Sequence, residues 1–483
     1  MRVTPFVKQC FAVSSVVLNM MSYGLVAGFN ASLFSELRRT REIPLDIHSE
    51  SWLASLIGLT LFGGSVISSL VMEAIGRRPA ILASSVFMIC GWILLSLASS
   101  FPVLLTAKIC HGISFGLGTI GTILIADYSS PRHRGSFIAT LPTAILFGIL
   151  IAHALGMFYS WHGLSRILLF FSLPGLIAAI FSPESPSFLV TKGRYDECRK
   201  VFRWLRGTDE DDELETMIKT HMVLKANKQR QRIKVLTLIK NKATCIVTAF
   251  KKREVRIPII ISMHLMAINQ FCGSTVNDMY ALDVHTALYG TNVYMFKVMT
   301  SLDVLRLTAA LSAVYITKKL GRRSMLLIFV SLNIFVNLCL AGHIFARQRD
   351  LLPASHMVIG VILHHFQCFI MGTGSIPLIF VIAGEIFPLE YRGLCWMVSS
   401  IFSSTFMFVN IKSAPYLFSL FGVDGTLCFY ALILAYSLVV TRIYLPETKD
   451  KTLQEVEDEI RGFALLSHEE TFELKSDKAD EED

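Results

Sequence analysis

Glu73-Ala74-Ile75-Gly76-Arg77-Arg78 returns in altered form as Lys318-Lys319-Leu320-Gly321-Arg322-Arg323, 245 residues later. Each copy closes one long apolar segment and opens the next. Recurrence of such a turn between apolar segments implies a membrane chain built from two related halves.

Composition points the same way. Of 483 residues 53% are hydrophobic, 11% aromatic and only 17% charged, with mean hydropathy +0.55, values of the membrane class rather than the soluble one. The formal charge of +8 would suggest nucleic acid in a soluble protein. Here the excess sits largely in one internal loop, where the bias of arginine and lysine toward cytoplasmic loops accounts for it, so no nucleic-acid partner is expected. Most of the ten cysteines, such as Cys90, Cys110, Cys339, Cys368 and Cys428, lie inside apolar runs. They have neither metal-ligand spacing nor a secreted disulfide rhythm, so they read as packing residues and no metal or cofactor is expected. Arg2 and Lys8 precede an apolar stretch from Phe11 to about Phe34 with no small-residue cleavage site, which makes it a first membrane helix, not a removable signal.

Apolar stretches of about 20 residues, enough to cross about 30 Å of hydrocarbon, fall near 11–33, 52–72, 80–99, 103–126, 137–159 and 165–182. Six more fall near 256–280, 292–317, 324–346, 355–383, 394–419 and 424–445. Backbone polar groups in lipid must be satisfied within the segment and no barrel alternation competes, so the fold class is an all-α membrane protein of about twelve transmembrane helices. Turns carrying Arg77 and Arg78, Arg132 and Arg134, Lys318 to Arg323, and Arg392 alternate with poorer ones such as Ser99-Ser100-Phe101-Pro102 and Phe421-Gly422-Val423-Asp424. The basic side is then cytoplasmic and both termini face the cytosol. The turn after the first helix holds Arg38, Arg39 and Arg41, but Glu36, Glu42, Asp46 and Glu50 leave it slightly acidic.

These features divide the chain into a first bundle, 1–183, a polar cytoplasmic linker, 184–255, a second bundle, 256–446, and an acidic cytoplasmic tail, 447–483, expected to be disordered. In the linker, Cys198, Val201, Phe202 and Leu205 recur at helical spacing, followed by an acidic run from Asp209 to Glu215. Lys225 to Lys252 is basic and reads as a solvated or lipid-facing charged surface rather than a specific partner site.

Several short motifs then occur in a fixed order: Ser51-Trp52-Leu53, Ile75-Gly76-Arg77-Arg78, Pro131-Arg132-His133-Arg134-Gly135, Pro183-Glu184-Ser185-Pro186, Gly384-Glu385-Ile386-Phe387-Pro388 with Tyr391-Arg392-Gly393, and Pro446-Glu447-Thr448. In order and spacing the set resembles the sugar porters of the major facilitator superfamily along nearly the whole chain. Within them it is most similar to the insect facilitated trehalose transporters, through Leu141-Pro142-Thr143-Ala144, Trp204-Leu205-Arg206-Gly207 and Lys412. The resemblance implies two six-helix bundles that rock about a midplane site, a small-molecule sugar substrate and a plasma-membrane location.

It also implies an inner gate. Glu73, Arg77, Arg78 and Arg134 in the first half, and Arg322, Arg323 and Arg392 in the second, lie at cytoplasmic helix ends, while Asp127 and Glu385 terminate helices 4 and 10. Charge-assisted pairs among these would latch the inner side while the site faces outward; alternatively the arginines only fix topology. The family's pattern is altered in places. Lys318 stands where an acidic residue is usual, Lys108 where helix 4 usually has arginine, and Asp127 in place of glutamate. Lysine lacks the forked geometry of a bidentate pair.

The implied substrate residues depart further. Asn269-Gln270-Phe271-Cys272-Gly273-Ser274-Thr275 matches the helix 7 stretch Gln-Gln-Leu-Ser-Gly-x-Asn that bonds sugar hydroxyls in the family, keeping Gln270 and Gly273. Pro377-Leu378-Ile379-Phe380 replaces Pro-x-Pro-Trp in helix 10, and Ser403-Ser404 replaces Asn-Trp in helix 11. Exchanging several long amides and a tryptophan alters specificity, although Asn269, Thr275 or Ser403 could equally bond a neighbouring helix. Arg306 falls where the family has a cavity-lining asparagine, and Asn30 where proton-coupled relatives carry aspartate. Asparagine cannot shuttle protons, which favours facilitative transport of trehalose or a hexose over proton-coupled symport of a sugar or polyol.

Asp278, Asp303 and Arg306 fall inside apolar spans, where ionisable residues are costly and mark sites or structural pairs. Asp303 and Arg306 are i, i+3 neighbours able to neutralise each other. A membrane enzyme is not indicated, because scattered His111, His153, His264, His364 and His365 form no nucleophile–base set or metal cluster. A sugar sensor on the same fold is the remaining alternative, but the sensors of the family carry longer tails than this one.

Overall fold

The computed structural model describes residues 4–208, 210–219, 222, 250–290, 295–351, 356–388, 391–449, 451 and 453–462; side chains at 131, 135, 139, 295, 296, 314, 315, 317, 318, 356, 392, 393, 453 and 454 lie outside that description. The first half contains α1 (Pro5–Thr40), α2 (Ile47–Ala74), α3 (Arg77–Ser96), α4 (Phe101–Gly118) continued by α5 (Gly121–Tyr128), α6 (Pro131–Gly156) and α7 (Trp161–Phe181). Short helices α8 (Pro186–Thr191), α9 (Tyr195–Arg206) and α10 (211–219) follow. The basic stretch at 225–249 and the acidic tail from 463 lie outside the described residues.

The second half opens with one crossing in three pieces: α11 (Arg253–Phe271), α12 (Ser274–Met279) and α13 (Ala281–Tyr289). Next come α14 (Met295–Lys319), α15 (Arg322–Gln348) and α16 (His356–Ile370), which passes through a wide π turn at Met371–Ser375 into α17 (Ile376–Ile386). Then α18 (Arg392–Tyr444) bends at Gly422, where φ is 73°, so its two arms are separate crossings. α19 (Leu453–Arg461) follows. Among the described residues ten helices are long and apolar enough to span a membrane. The second arm of α18, and α14 with its Lys297, Asp303 and Arg306, bring the crossings to twelve.

Local chemistry explains the ends. Proline occupies the first turn of α1, α4 and α6, where its missing N–H costs nothing. Asp46 caps α2 by accepting the Ser49 N–H at 2.9 Å. α1 has 36 residues, against the 23 of its apolar stretch 11–33, because it starts six residues earlier at Pro5 and its arginine-rich end continues past the hydrocarbon to Thr40. The helix 7 break lies at Gly273, whose φ of 107° other residues rarely adopt. Large apolar side chains such as Phe170, Phe181, Phe335, Leu432 and Ile443 point outward and are more than 60% exposed, as a lipid-solvated surface requires.

The core is divided unevenly. At the end carrying the Gly-Arg-Arg turns it is split in two. Val13, Val16, Ala80, Leu124 and Tyr128 pack only with first-half residues, and Ile257, Ile261, Leu326, Ile382 and Leu445 only with second-half ones. Toward the opposite end one cluster runs through both halves, joining Phe29, Phe34, Leu53 and Trp161 with Phe271, Tyr280, Ile411 and Tyr430.

Candidate functional site

At the arginine end the two repeats build the same device twice. Gly76 has φ 138°, and a Cβ there would come 2.3 Å from Glu184 Oε2. Only glycine lets that carboxylate reach the start of α3, where Glu184 Oε1 accepts the N–H groups of Arg77 and Arg78 at 3.1 Å each. The Arg77 guanidinium pairs with Asp127 and donates to Ser185 Oγ at 3.2 Å, while Ser185 Oγ donates to Asp127 Oδ2 at 2.5 Å. In the second half a Cβ on Gly321 would come 2.4 Å from Glu447 Oε2. Glu447 accepts the N–H groups of Arg322 and Arg323 at 2.7 and 3.2 Å. Arg322 lies 3.5 Å from Glu385, and Thr448 Oγ1 donates to Glu385 Oε2 at 2.5 Å.

The other arginine-end residues serve differently. Arg78 donates to the carbonyls of Ala179 and Ile180, and Arg323 to that of Arg442 at 2.8 Å, tying each turn to the last helix of its own bundle. Glu73 is exposed and has no bonded partner among the described residues, and Arg134 Nε is buried without one. The side chains of Arg392 and Lys318 lie outside the described residues. No hydrogen bond or ion pair among the described residues joins the two bundles at this end. Glu184, Ser185, Glu447 and Thr448 were not singled out as gate residues from sequence, although Pro183-Glu184-Ser185 and Pro446-Glu447-Thr448 are visible as a second repeat.

Polar contacts at the opposite end do cross between bundles. Arg38 on α1 holds Glu50 at 2.5 Å and Asp283 on α13 at 2.7 Å. His48 Nδ1 lies 2.8 Å from Tyr416 Oη on α18, and Lys412 Nζ sits 4.0 Å from the centroid of Trp52. The sequence offered Arg38 and Glu50 only as loop charges, since nothing in it places Asp283 beside them.

Between the two ends lie the residues expected to meet substrate. Gln270 is buried; its Oε1 accepts the Thr275 hydroxyl at 3.2 Å and its carbonyl accepts Asn410 Nδ2 at 2.5 Å. Asn269 is half-buried beside it. On α18 Ser404 Oγ and Asn410 Oδ1 are buried without a protein partner among the described residues, and Ser403 is half-buried. Phe380 is 48% exposed on α17. Asn410 was missed, although an asparagine within so apolar a helix is itself a signal. Asn30 is buried; it accepts the ammonium of fully buried Lys108 and donates to Met279 Sδ across the bundle interface at 3.1 Å. Arg306 is buried against Asp278 at 2.6 Å and Asp303 at 3.7 Å, so the expected Asp303–Arg306 pair is present with Asp278 as the nearer partner.

Twelve crossings in two pseudo-symmetric bundles, with polar side chains gathered between them and closure at one end only, define a membrane transporter of the major facilitator class. The family model for sugar (and other) transporters matches residues 11–460, and the chain belongs to that family. It is 26% identical over 467 residues to the facilitated trehalose transporter Tret1 of Culex quinquefasciatus, covering 94% of this chain and 86% of that one. To the protein of the same name from Aedes aegypti it is 25% identical over 462 residues, covering 94% of this chain and 55% of the relative, so the chain spans about half that protein's length. In fold it matches the inward-open xylose transporter XylE from E. coli with a TM-score of 0.72 at 18% identity, covering 94% of this chain and 99% of that one.

Proposed function

We propose that the protein carries a neutral sugar across the plasma membrane by facilitated diffusion, the two bundles alternating in access to a site between them. The observation that carries this is the uneven closure: the core and the polar contacts join the bundles opposite the arginine turns, while at the arginine end each network closes within its own bundle. With the arginine end cytoplasmic, together with both termini and the 184–255 linker, this is an inward-facing state. Asn269, Gln270, Thr275, Ser403, Ser404, Phe380, Arg306 and Asn30 would contact substrate. Glu73, Arg77, Arg78, Asp127, Arg134, Arg322, Arg323, Glu385 and Arg392 would serve the inner gate. Asn30, an amide, gives helix 1 no carboxylate to carry a proton there, which supports passive transport. Relatives whose names specify trehalose support that sugar as the first substrate to test.

Radiolabelled uptake into oocytes or proteoliposomes across a panel of trehalose and hexoses tests the function. Uptake should equilibrate without accumulation; concentration against a gradient, abolished by a protonophore, would reject facilitation. A cysteine at Lys192 should resist an impermeant reagent in intact cells if the linker is cytoplasmic.

A further inference from the structure

Four ionisable side chains meet where α6 of the first bundle touches α14 of the second. His153 Nδ1 lies 2.5 Å from Asp303 Oδ2, with both side chains 3% exposed. Arg306, one turn along, lies 2.6 Å from Asp278 Oδ1 on α12 and 3.7 Å from Asp303 Oδ1. Of the four, only His153 belongs to the first bundle. The titratable groups around them are Cys272 between α11 and α12, His285 on α13, and His364, His365 and Cys368 on α16. His364 is engaged by Asn277 and Tyr289, and His365 by Ser301 and the Val361 carbonyl. α1, α5 and α7, which also pack on α6, give His153 no hydrogen bond or ion pair among the described residues.

Charge balance decides which protonation state this arrangement needs. Two carboxylates and one guanidinium leave one negative charge in excess, and a proton on His153 cancels it. An unbalanced charge in a buried site of a membrane protein is costly, and imidazole is the side chain whose charge changes near neutral pH.

We propose that His153 and Asp303 form a proton-operated latch between the two bundles. With His153 protonated, the pair holds α6 to α14 and favours the state described here, closed opposite the arginine turns. With His153 neutral, the network keeps an uncompensated carboxylate and the bundles part more readily at that end. The proton sets the balance of states and does not travel with the sugar. This builds on the alternating-access function proposed above.

Spin labels at Ile47 and Ser419, at the opposite end of the two bundles, report that balance in the purified full chain reconstituted in lipid. From about pH 5 to about pH 8 the ratio of short to long distances should fall about tenfold. His153→Gln should abolish the pH dependence while keeping both distances. Asp303→Asn, which keeps the shape and removes the charge, should do the same and serves where His153→Gln does not yield monodisperse protein. A full pH response surviving in either variant, or none in the wild type, overturns the latch. Sugar uptake by the same proteoliposomes separates the two proposals. Uptake with an undiminished pH response in His153→Gln leaves transport standing and removes the latch. A response lost in His153→Gln while the wild type moves no sugar keeps the latch and removes transport.

Discussion

Ser185 Oγ donates to Asp127 Oδ2 at 2.5 Å, and 263 residues further along Thr448 Oγ1 makes the same bond to Glu385 Oε2 at the same distance. Serine has become threonine and aspartate has become glutamate, yet the hydroxyl still bridges the residue after the glutamate cap to the carboxylate that meets the arginine turn. The repeat is thus held as geometry more faithfully than as sequence. Each bundle is stapled at its arginine end by contacts from three points along its own chain, which lets it move as a rigid unit.

Removing either hydroxyl should weaken one bundle and leave the other intact. Ser185→Ala and Thr448→Val should each cost about 1.5–3 kcal/mol, the worth of a hydrogen bond to a charged group. The double variant should add to within about 0.5 kcal/mol because the sites share no partner. Thermal unfolding of the purified variants measures both; strong non-additivity would mean that the two networks touch.

Arg38 ties α1 to α13 through Asp283, but both side chains are about a third exposed. Solvent screening holds such a pair to about 1 kcal/mol or less. Arg38→Ala should therefore raise the population open at this end by no more than about fivefold, read from the Ile47 to Ser419 label distance. An unchanged distribution would remove Arg38 from the gate.

Arg306→Asn leaves Asp278, its nearer partner, buried without its cation. Breaking a buried pair on one side costs about 3–5 kcal/mol, so the variant should be scarce in detergent extracts. The double variant Arg306→Asn with Asp278→Asn should recover the yield. Normal abundance of the single variant would show that Arg306 does not hold the buried charge network; a changed sugar preference per molecule is the further sign expected of its contact with substrate.

Gln270→Ala should lower uptake of the best sugar about 5- to 150-fold at equal surface abundance, corresponding to a lost buried hydrogen bond of about 1–3 kcal/mol. Thr275→Val, which removes a hydroxyl donating to Gln270 Oε1, should have the smaller effect. Unaltered transport by Gln270→Ala would move the site elsewhere in the cavity.

In the linker, Cys198 packs against Leu189, Val190, Phe202 and Leu214, and burial pushes its thiol up to about 11. Between pH 7 and 9 it should remain neutral and react slowly with maleimide, the reactive form being the thiolate. Fast labelling of Cys198 in a chain otherwise stripped of cysteine would show that α9 does not stay docked.

Much of this was legible along the chain because lipid leaves few options. Apolar length fixed the crossings, and the ordered motifs carried the family. Missed features lay where the chain returns to itself over long distances. Glu184 meets Arg77 across 107 residues, Arg38 meets Asp283 across 245, and His153 meets Asp303 across 150. No local period connects such partners. Gln270 and Thr275, close in sequence, were recognised together, whereas Asn410, 140 residues beyond Gln270, was not.

The sequence by itself determined that this is a helical membrane protein of two related halves, because backbone hydrogen bonding in hydrocarbon and hydrophobic length are properties of each segment taken alone. Tertiary structure alone decided which charges meet from distant parts of the chain, and at which end the bundles close. Both depend on side chains brought within a few ångströms from different helices, where Coulomb energy in a poorly screening interior is set by distance rather than by order along the chain.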